Sequence, residues 1–348
     1  MRIIQFVNED NQPRVGIHEG QQVLDLTAIQ PGWNSTYQVF QQAHRNQVTL
    51  TELLQDLRAG VVCPFTFQQL WEARPGTGQP YLLPPLTHQD PYRVWITGTG
   101  LTHTGSMQSR NQMHGGQQEA KDEPETDSAR MFAMGLAGGQ PEPGKRGTAP
   151  EWFYKGNGLV LRGHHEALDI PAFARDGGEE PELVGCYIID PDGVPCRLGF
   201  ALGNEWSDHA TETINYLYLA PSKLRSCSVG PELNLDFQFD DLTLRCLVER
   251  ESEILYDSGQ LKSGEQFMCH SLANCEDHHF KYPQHRQPGD VHLHYFGTSK
   301  LSHSTRDWTY EPGDVIRVAA DAFSSPLVNH VAAAAAETAE PIIVKASW

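Results

Sequence analysis

Glu180 and Glu182 stand two residues apart at the mouth of the apolar run Leu183-Val184-Gly185-Cys186-Tyr187-Ile188-Ile189. Glu205 follows at the end of Gly199-Phe200-Ala201-Leu202-Gly203-Asn204-Glu205. Side chains at i and i+2 of a strand point to one face, so the first two carboxylates converge. Like charges held together repel, and each costs free energy to desolvate unless a cation lies between them. With Glu205 from the next strand they offer an all-oxygen set for a hard divalent ion. Taken alone, Glu-x-Glu also reads as two solvated glutamates at a strand end, because Glu is mostly a surface residue.

Other segments carry reactive side chains. Val94-Trp95-Ile96-Thr97-Gly98 reads as a buried strand. It empties into a Gly-, Thr- and Ser-rich loop holding His103, Ser106 and Arg110, which is either a site loop or a capped turn. The long polar stretch 104–150, with His114 inside it, has the length and composition of a lid or a disordered segment. Glu151-Trp152-Phe153-Tyr154-Lys155 is an aromatic strand ending in a lysine. Lys223 precedes Ser228-Val229-Gly230-Pro231, and Phe296-Gly297-Thr298-Ser299 supplies amides and a hydroxyl that suit an anion or simply make a turn. Residues 267–281, read as a helix with Cys269, His270, Cys275, His278 and His279, invite a zinc reading, but the spacing fits no structural zinc pattern.

These residues need a scaffold. Residues 1–85 read as a small N-terminal α+β module. It has strands at Ile3–Val7, Arg14–Ile17 and Val23–Leu26, helical spacing over 37–43 and 50–57, and an extended Leu83-Pro84-Pro85-Leu86 linker. Residues 86–348 read as the catalytic domain, with alternating strands such as Leu233 to Phe239 forming an antiparallel meander. The alanine-rich stretch 331–336 is expected as a surface helix or loose segment.

The chain has 348 residues, with Lys+Arg 26 against Asp+Glu 44 and a net charge of −18. That field repels phosphate backbones and attracts divalent cations, which argues against nucleic acid as a partner. Seven scattered cysteines without a Cys-x-x-Cys pair, and no signal peptide, point to a reducing, cytoplasmic setting. No apolar run of about 18 residues occurs to span a membrane.

In this order, Glu-x-Glu before a strand, Gly-Phe-Ala-Leu-Gly-Asn-Glu, Lys223 before Ser-x-Gly-Pro, Phe-Gly-Thr and Pro312-Gly313-Asp314-Val315-Ile316-Arg317-Val318 resemble the fumarylacetoacetate hydrolase superfamily over residues 92–332. Asn204 to Leu233 looks most like the branch that dehydrates 2-keto-3-deoxy sugar acids. Trp152–Gly156 and Phe280–Pro283 look like its subgroup linked to L-arabinose breakdown. The resemblance implies a β-rich α+β fold with a mixed β-roll core, a homodimer, and Mg²⁺, often replaceable by Mn²⁺. It places metal ligands at Glu180, Glu182 and Glu205, the last standing where the family usually has Asp. It also implies a catalytic role for Lys223 and His103 and carboxylate binding by Thr298 beside Gly297. Arg110, Ser106 and Lys155 are further substrate-binding candidates, and His114 a candidate from the lid. Lys223 near a cation and apolar walls is expected to have a lowered pKa.

The activity expected is Mg²⁺-dependent dehydration of 2-keto-3-deoxy-L-arabinonate to 2-oxoglutarate semialdehyde. A C–C hydrolase of acylpyruvates or an oxaloacetate decarboxylase is the first rival. It is weakened because His103 has only Ser106 and Met107 three and four positions on, where a water-activating pair needs an acid. A non-catalytic sugar-acid binding protein is the second, although binding alone would not require Lys223.

Overall fold

The computed structural model describes residues 1–57, 61–105, 126–333 and 340–346. Its centre is the strand Pro181–Ile189, in which all nine residues are buried. Alternation sends Val184, Cys186 and Ile188 to one apolar core and Leu183, Tyr187 and Ile189 to another. A strand buried on both faces reads as a continuous apolar run, as this one does.

Around it runs an 11-stranded mixed sheet, nine of whose strands form one path, with Leu82–Leu83 beside Arg2–Val7 and Leu161–Arg162 beside Cys227–Asn234. The order is Gln22–Asp25, Pro13–Glu19, Arg2–Val7, Cys227–Asn234, Pro195–Asn204, Pro181–Ile189, Val291–Tyr295, Val94–Gly100 and Glu151–Asn157. Val291–Tyr295 pairs parallel with Val94–Gly100, and the other pairs along this path are antiparallel. Arg2–Val7 pairs with Cys227–Asn234, so the sheet runs across the boundary expected near residue 85. The helices Thr36–Arg45 and Leu50–Asp56 cover one face with Val39, Phe40, Leu53 and Leu54. A capping box between Thr49 and Glu52 starts the second helix by satisfying otherwise orphaned amides.

The other face meets a six-stranded sheet ordered Glu253–Asp257, Leu242–Arg250, Val315–Ala320, Leu327–Ala332 and Ala167–Asp169, with Leu261–Ser263 beside Leu242–Arg250. Leu244, Cys246, Val248, Ile316 and Val318 pack against Phe200, Leu202 and Tyr187. The expected β-rich α+β class is the one found.

Three local expectations change. The 267–281 helix is shorter, Leu272–Phe280. Ser271 caps it by accepting from the Asn274 amide, which leaves Cys269 and His270 ahead of the first turn. The alanine-rich tail does not begin as a helix. Leu327–Ala332 is a strand on Val315–Ala320, because the partner strand and burial of Val328 and Val331 outweigh alanine's helical preference; residues 334–339 lie outside the described set. Within the polar stretch 104–150, Asp127–Gly138 is a helix capped by Thr126.

His292 and His294 alternate with Val291, Leu293 and Tyr295 and meet His279 on the opposite face. His279 Nε2 lies 2.9 Å from His292 Nδ1, and Thr97 Oγ1 lies 2.7 Å from His294 Nδ1. Burial holds His292 and His294 down to about 3, and burial with neighbouring imidazoles holds His279 well below its ordinary value. A histidine whose folded value is lowered binds fewer protons folded than unfolded. Its stabilisation is complete above about pH 6.5 and is lost as pH falls. Each such histidine steepens the loss by about 1.4 kcal/mol per pH unit. The urea midpoint is therefore expected to fall steadily from pH 7 to pH 4.5, and less steeply in His294→Gln; identical slopes would contradict neutral burial.

Gly203 meets a second constraint. A Cβ there would fall 2.4 Å from Val184 Cγ2 and 2.6 Å from Tyr295 Cε1. Gly203→Ala is expected to lower unfolding free energy by about 1–3 kcal/mol in urea titrations.

Candidate active site

The sheet's register assembles the site. Glu182 pairs with Gly203 and Pro181 with Asn204, so Glu205 emerges beside Glu180, whose carbonyl accepts from the Glu205 amide at 2.9 Å. On the other side Tyr295 pairs with Val184, and the chain turns at Phe296 so that the Gly297 amide donates to Glu182 Oε2 at 2.7 Å. Gly297 has φ +91, and a Cβ would sit 2.3 Å from Thr102 Oγ1. Only glycine meets both demands without strain. The sequence motif Phe-Gly-Thr thus places a backbone donor on a buried carboxylate.

Glu180, Glu182 and Glu205 are 7%, 1% and 0% exposed, and each brings a carboxylate oxygen within 4.8 Å of the others'. Burial, then the neighbouring charges of Glu205 and Glu180, push Glu182 well above the usual carboxylate range. Lys223, at the end of the helix Leu219–Lys223, reaches Glu180 Oε1 and lies 2.8 Å from Glu205 Oε2. Burial alone would lower its pKa. The carboxylates of Glu180, Glu205 and Glu212 outweigh that and hold the ammonium well above its ordinary value. The expected lowering therefore does not hold for this arrangement, since the lysine sits inside the acid cluster as its counter-charge.

The surrounding cleft encloses about 40 Å³, room for an ion and a water. Its lining includes Glu151, Phe153, His209, Glu212, Lys223, Gly297, Thr298 and the three clustered acids. Phe153 places its ring face 4.8 Å from Lys223 Nζ, a cation–π contact that also shields the site from water.

The remaining candidates are placed differently. Lys155 is fully buried and does not line the cleft. Its ammonium lies 2.9 Å from Glu205 Oε1 and donates to the Trp206 and Lys223 carbonyls, so it holds a buried carboxylate. Strand alternation turns Glu151, Phe153 and Lys155 inward and Trp152 and Tyr154 outward. His103 also lies outside the lining. Its Nε2 is 3.2 Å from Ser263 Oγ and its Nδ1 2.9 Å from Thr102 Oγ1, while burial lowers its pKa to about 4, which leaves the ring unprotonated at neutral pH. Ser106, Arg110 and His114 fall outside the described residues.

Sequence reasoning passed over His209, Glu212 and Glu151 as site residues. His209 and Glu212 bound the short helix His209–Glu212, capped by Asp208, and an i, i+3 spacing puts both on one face. His209 Nε2 sits 3.1 Å from Glu180 Oε1, and burial holds the ring down to about 3, so it is neutral. Ser207 Oγ completes the acid cluster by donating to Glu205 Oε1 at 3.0 Å.

Comparison with solved structures places this fold. Residues spanning 96% of the chain superpose on 2-keto-3-deoxy-D-arabinonate dehydratase in its apo form, with TM-score 0.69, 16% identity and 99% of that chain covered. The same enzyme complexed with magnesium and 2,5-dioxopentanoate gives 0.68. Fumarylacetoacetate hydrolase from Exiguobacterium antarcticum gives 0.59, at 16% identity, covering 96% of this chain and 99% of that one. The chain therefore has the fold shared by fumarylacetoacetate hydrolase and these sugar-acid dehydratases. Among curated proteins it is 26% identical over 204 residues to a probable 2-keto-3-deoxyxylonate dehydratase of Haloferax volcanii, a match spanning 56% of this chain and 60% of that relative. No protein-family model matches the sequence.

Lys155→Met would leave Glu205 buried without one of its two lysines. Removing one partner of a buried ion pair costs about 3–5 kcal/mol, and thermal unfolding in metal-free buffer is expected to show that loss. An unchanged melting temperature would mean that Lys155 does not hold Glu205.

Proposed function

We propose that the protein is a Mg²⁺-dependent dehydratase of a 2-keto-3-deoxy sugar acid, with 2-keto-3-deoxy-L-arabinonate as the preferred substrate and 2-oxoglutarate semialdehyde as product. The observation that carries this reading is the buried cluster of Glu180, Glu182 and Glu205 around Lys223, with the Gly297–Thr298 turn beside it. The fold of a dehydratase solved with magnesium and 2,5-dioxopentanoate, another name for that semialdehyde, supports it. Fold alone does not fix chemistry, so the argument rests on the residues.

The acid cluster fits a hard cation. It is all-oxygen and buried, and burial together with the neighbouring Glu205 and Glu180 charges pushes Glu182 well above the usual carboxylate range. Glu180, Glu182 and Glu205 would hold the ion, which when bound supplies Lewis acidity to the carbonyl of a 2-keto acid and so acidifies C3. Lys223 shares Glu180 and Glu205 with it; as the ammonium those acids hold, it is placed to face the negative charge left at C2, and only with their charge neutralised would it be free to take the C3 proton. Thr298, which lines the cleft beside the Gly297 turn, is our candidate to hold the substrate carboxylate. Phe153 and Leu301 exclude water from that position.

Loss of the C3 proton and of the C4 hydroxyl, which leaves with a proton as water, gives a C3–C4 alkene. Proton loss at C5 and gain at C3 then gives the enol across C4 and C5, which tautomerises to the aldehyde. No redox cofactor enters the balance. We read the protein further as a cytoplasmic homodimer serving L-arabinose breakdown, with Mn²⁺ able to replace Mg²⁺. That reading is supported by the sequence resemblance.

The decisive assay supplies Mg²⁺ and 2-keto-3-deoxy-L-arabinonate and follows the semialdehyde with a coupled dehydrogenase. Product is expected from the wild type, and Glu182→Gln is expected to lower kcat by at least about a hundredfold, on the scale of losing one main charge-stabilising group. Cleavage of an acylpyruvate with no semialdehyde would favour the C–C hydrolase instead.

A further inference from the structure

One buried carboxylate beside the acid cluster takes no part in it. Glu179 directly precedes Glu180, yet it neither lines the cleft nor belongs to the group able to hold an ion. The chain runs extended here, with the Gly178 and Glu180 carbonyls accepting from the Ser207 and Glu205 amides. Successive side chains of an extended chain point opposite ways. Glu180 therefore meets Lys223 and the cluster, while Glu179 meets Tyr310, a member of the core shared with the six-stranded sheet. Glu179 is fully buried, and burying a carboxylate is costly unless good partners hold it.

Those partners come from one segment. The Ser302 amide donates to Glu179 Oε1 at 2.6 Å, and the Ser302 and Tyr310 hydroxyls donate to Oε2 at 2.8 and 2.6 Å. At the other end of the same loop the Gly297 amide donates to Glu182 Oε2 at 2.7 Å. Thr298 and Leu301, which line the cleft, lie between these two clamps. Thr298 Oγ1 also donates to the Lys300 carbonyl at 3.2 Å, so the loop is braced internally and a shift at Ser302 is passed along it. Both ends of the turn are thus fixed from the short stretch that carries Glu180 and Glu182.

We propose that Glu179 is a positioning residue for the 2-keto acid: acting through Ser302, it holds the loop so that Thr298 meets the substrate carboxylate at a set distance from Glu180 and Glu182. This rests on the assignment of Thr298 above. Glu179 itself touches neither substrate nor ion, and its effect is one of geometry, where small displacements cost much binding.

Calorimetric titration with Mg²⁺, and then with pyruvate on the Mg²⁺-loaded protein, tests it. Pyruvate presents only the carboxylate and the adjacent carbonyl. Thr298→Ala is expected to weaken pyruvate binding about tenfold, the scale of one hydrogen bond to a charged group. Glu179→Gln keeps the shape of the side chain but sets an amide donor against the Ser302 and Tyr310 hydroxyls. It is expected to weaken pyruvate at least about fivefold and to leave Mg²⁺ affinity within about twofold. Combined with Thr298→Ala it is expected to add less than about a further twofold, because both losses act through one contact. Ser302→Ala removes one donor and keeps the amide; it is expected to weaken pyruvate about threefold and serves where Glu179→Gln does not fold.

Losses that multiply in the double variant show a general structural role and overturn the proposal, as does a parallel loss of Mg²⁺ affinity. Wild-type pyruvate affinity in Glu179→Gln, or in Ser302→Ala where only that variant folds, overturns it too. Unchanged binding in Thr298→Ala removes the Thr298 assignment and this inference with it. Failure of the wild type to bind pyruvate overturns the 2-keto acid reading on which both rest.

Discussion

Buried carboxylates must be compensated, and the requirement is concentrated at the end of one sheet. Glu180 and Glu182 precede and enter a strand whose next seven residues are entirely buried, and Glu205 leaves the neighbouring strand at the same level. Three such charges together would be prohibitive without partners. The fold supplies them from four directions: Lys223 from a short helix, Lys155 from the far edge strand, Ser207 from the chain just beyond Glu205, and the Gly297 amide from the adjacent strand's turn. Stability and chemistry therefore depend on the same register. A one-residue slip between Pro181–Ile189 and Pro195–Asn204 would turn Glu182 into the opposite core.

Lys155 shows how one side chain can answer a question raised by another. Glutamate at 205 reaches a methylene further than the aspartate of the resembled pattern. Lys155 and Ser207 grip Glu205 Oε1, while Oε2 faces Lys223. The extra reach is thus taken up by fixed partners. Lys223 meanwhile is held as a cation by the acids it would share with a metal ion. In the metal-free protein it is their counter-charge, and a divalent ion would compete with it for Glu180 and Glu205.

Much of this was legible before any coordinates. The apolar run after Glu182 predicted a buried strand, and i, i+2 spacing predicted convergence of its acids. The periodicity of the first helices was equally readable. Other features were not, for physical reasons. Nothing local distinguishes His103, tied to Ser263 across 160 residues, from a histidine in a cleft. Lys155 shares a strand face with the cleft-lining Glu151 and Phe153, but its ammonium is taken up by Glu205 behind the cleft. His209 and Glu212 looked like an ordinary polar segment because their role depends on Lys223 and Glu180, which belong to other elements. Tertiary partners, more than residue types, decided these cases.

The central claim is that the strand-end acids form a cation site. An anomalous difference map from Mn²⁺-loaded crystals tests it most directly, because manganese marks its own position. The account predicts a peak coordinated by Glu180, Glu182 and Glu205, with the Lys223 ammonium displaced from at least one of them. Other residue groups also bring ligand atoms together, including Asp176 with His209 and His303 and His44 with Asp190 and Asp192. Manganese at one of those groups, with Lys223 still bridging Glu180 and Glu205, would contradict it.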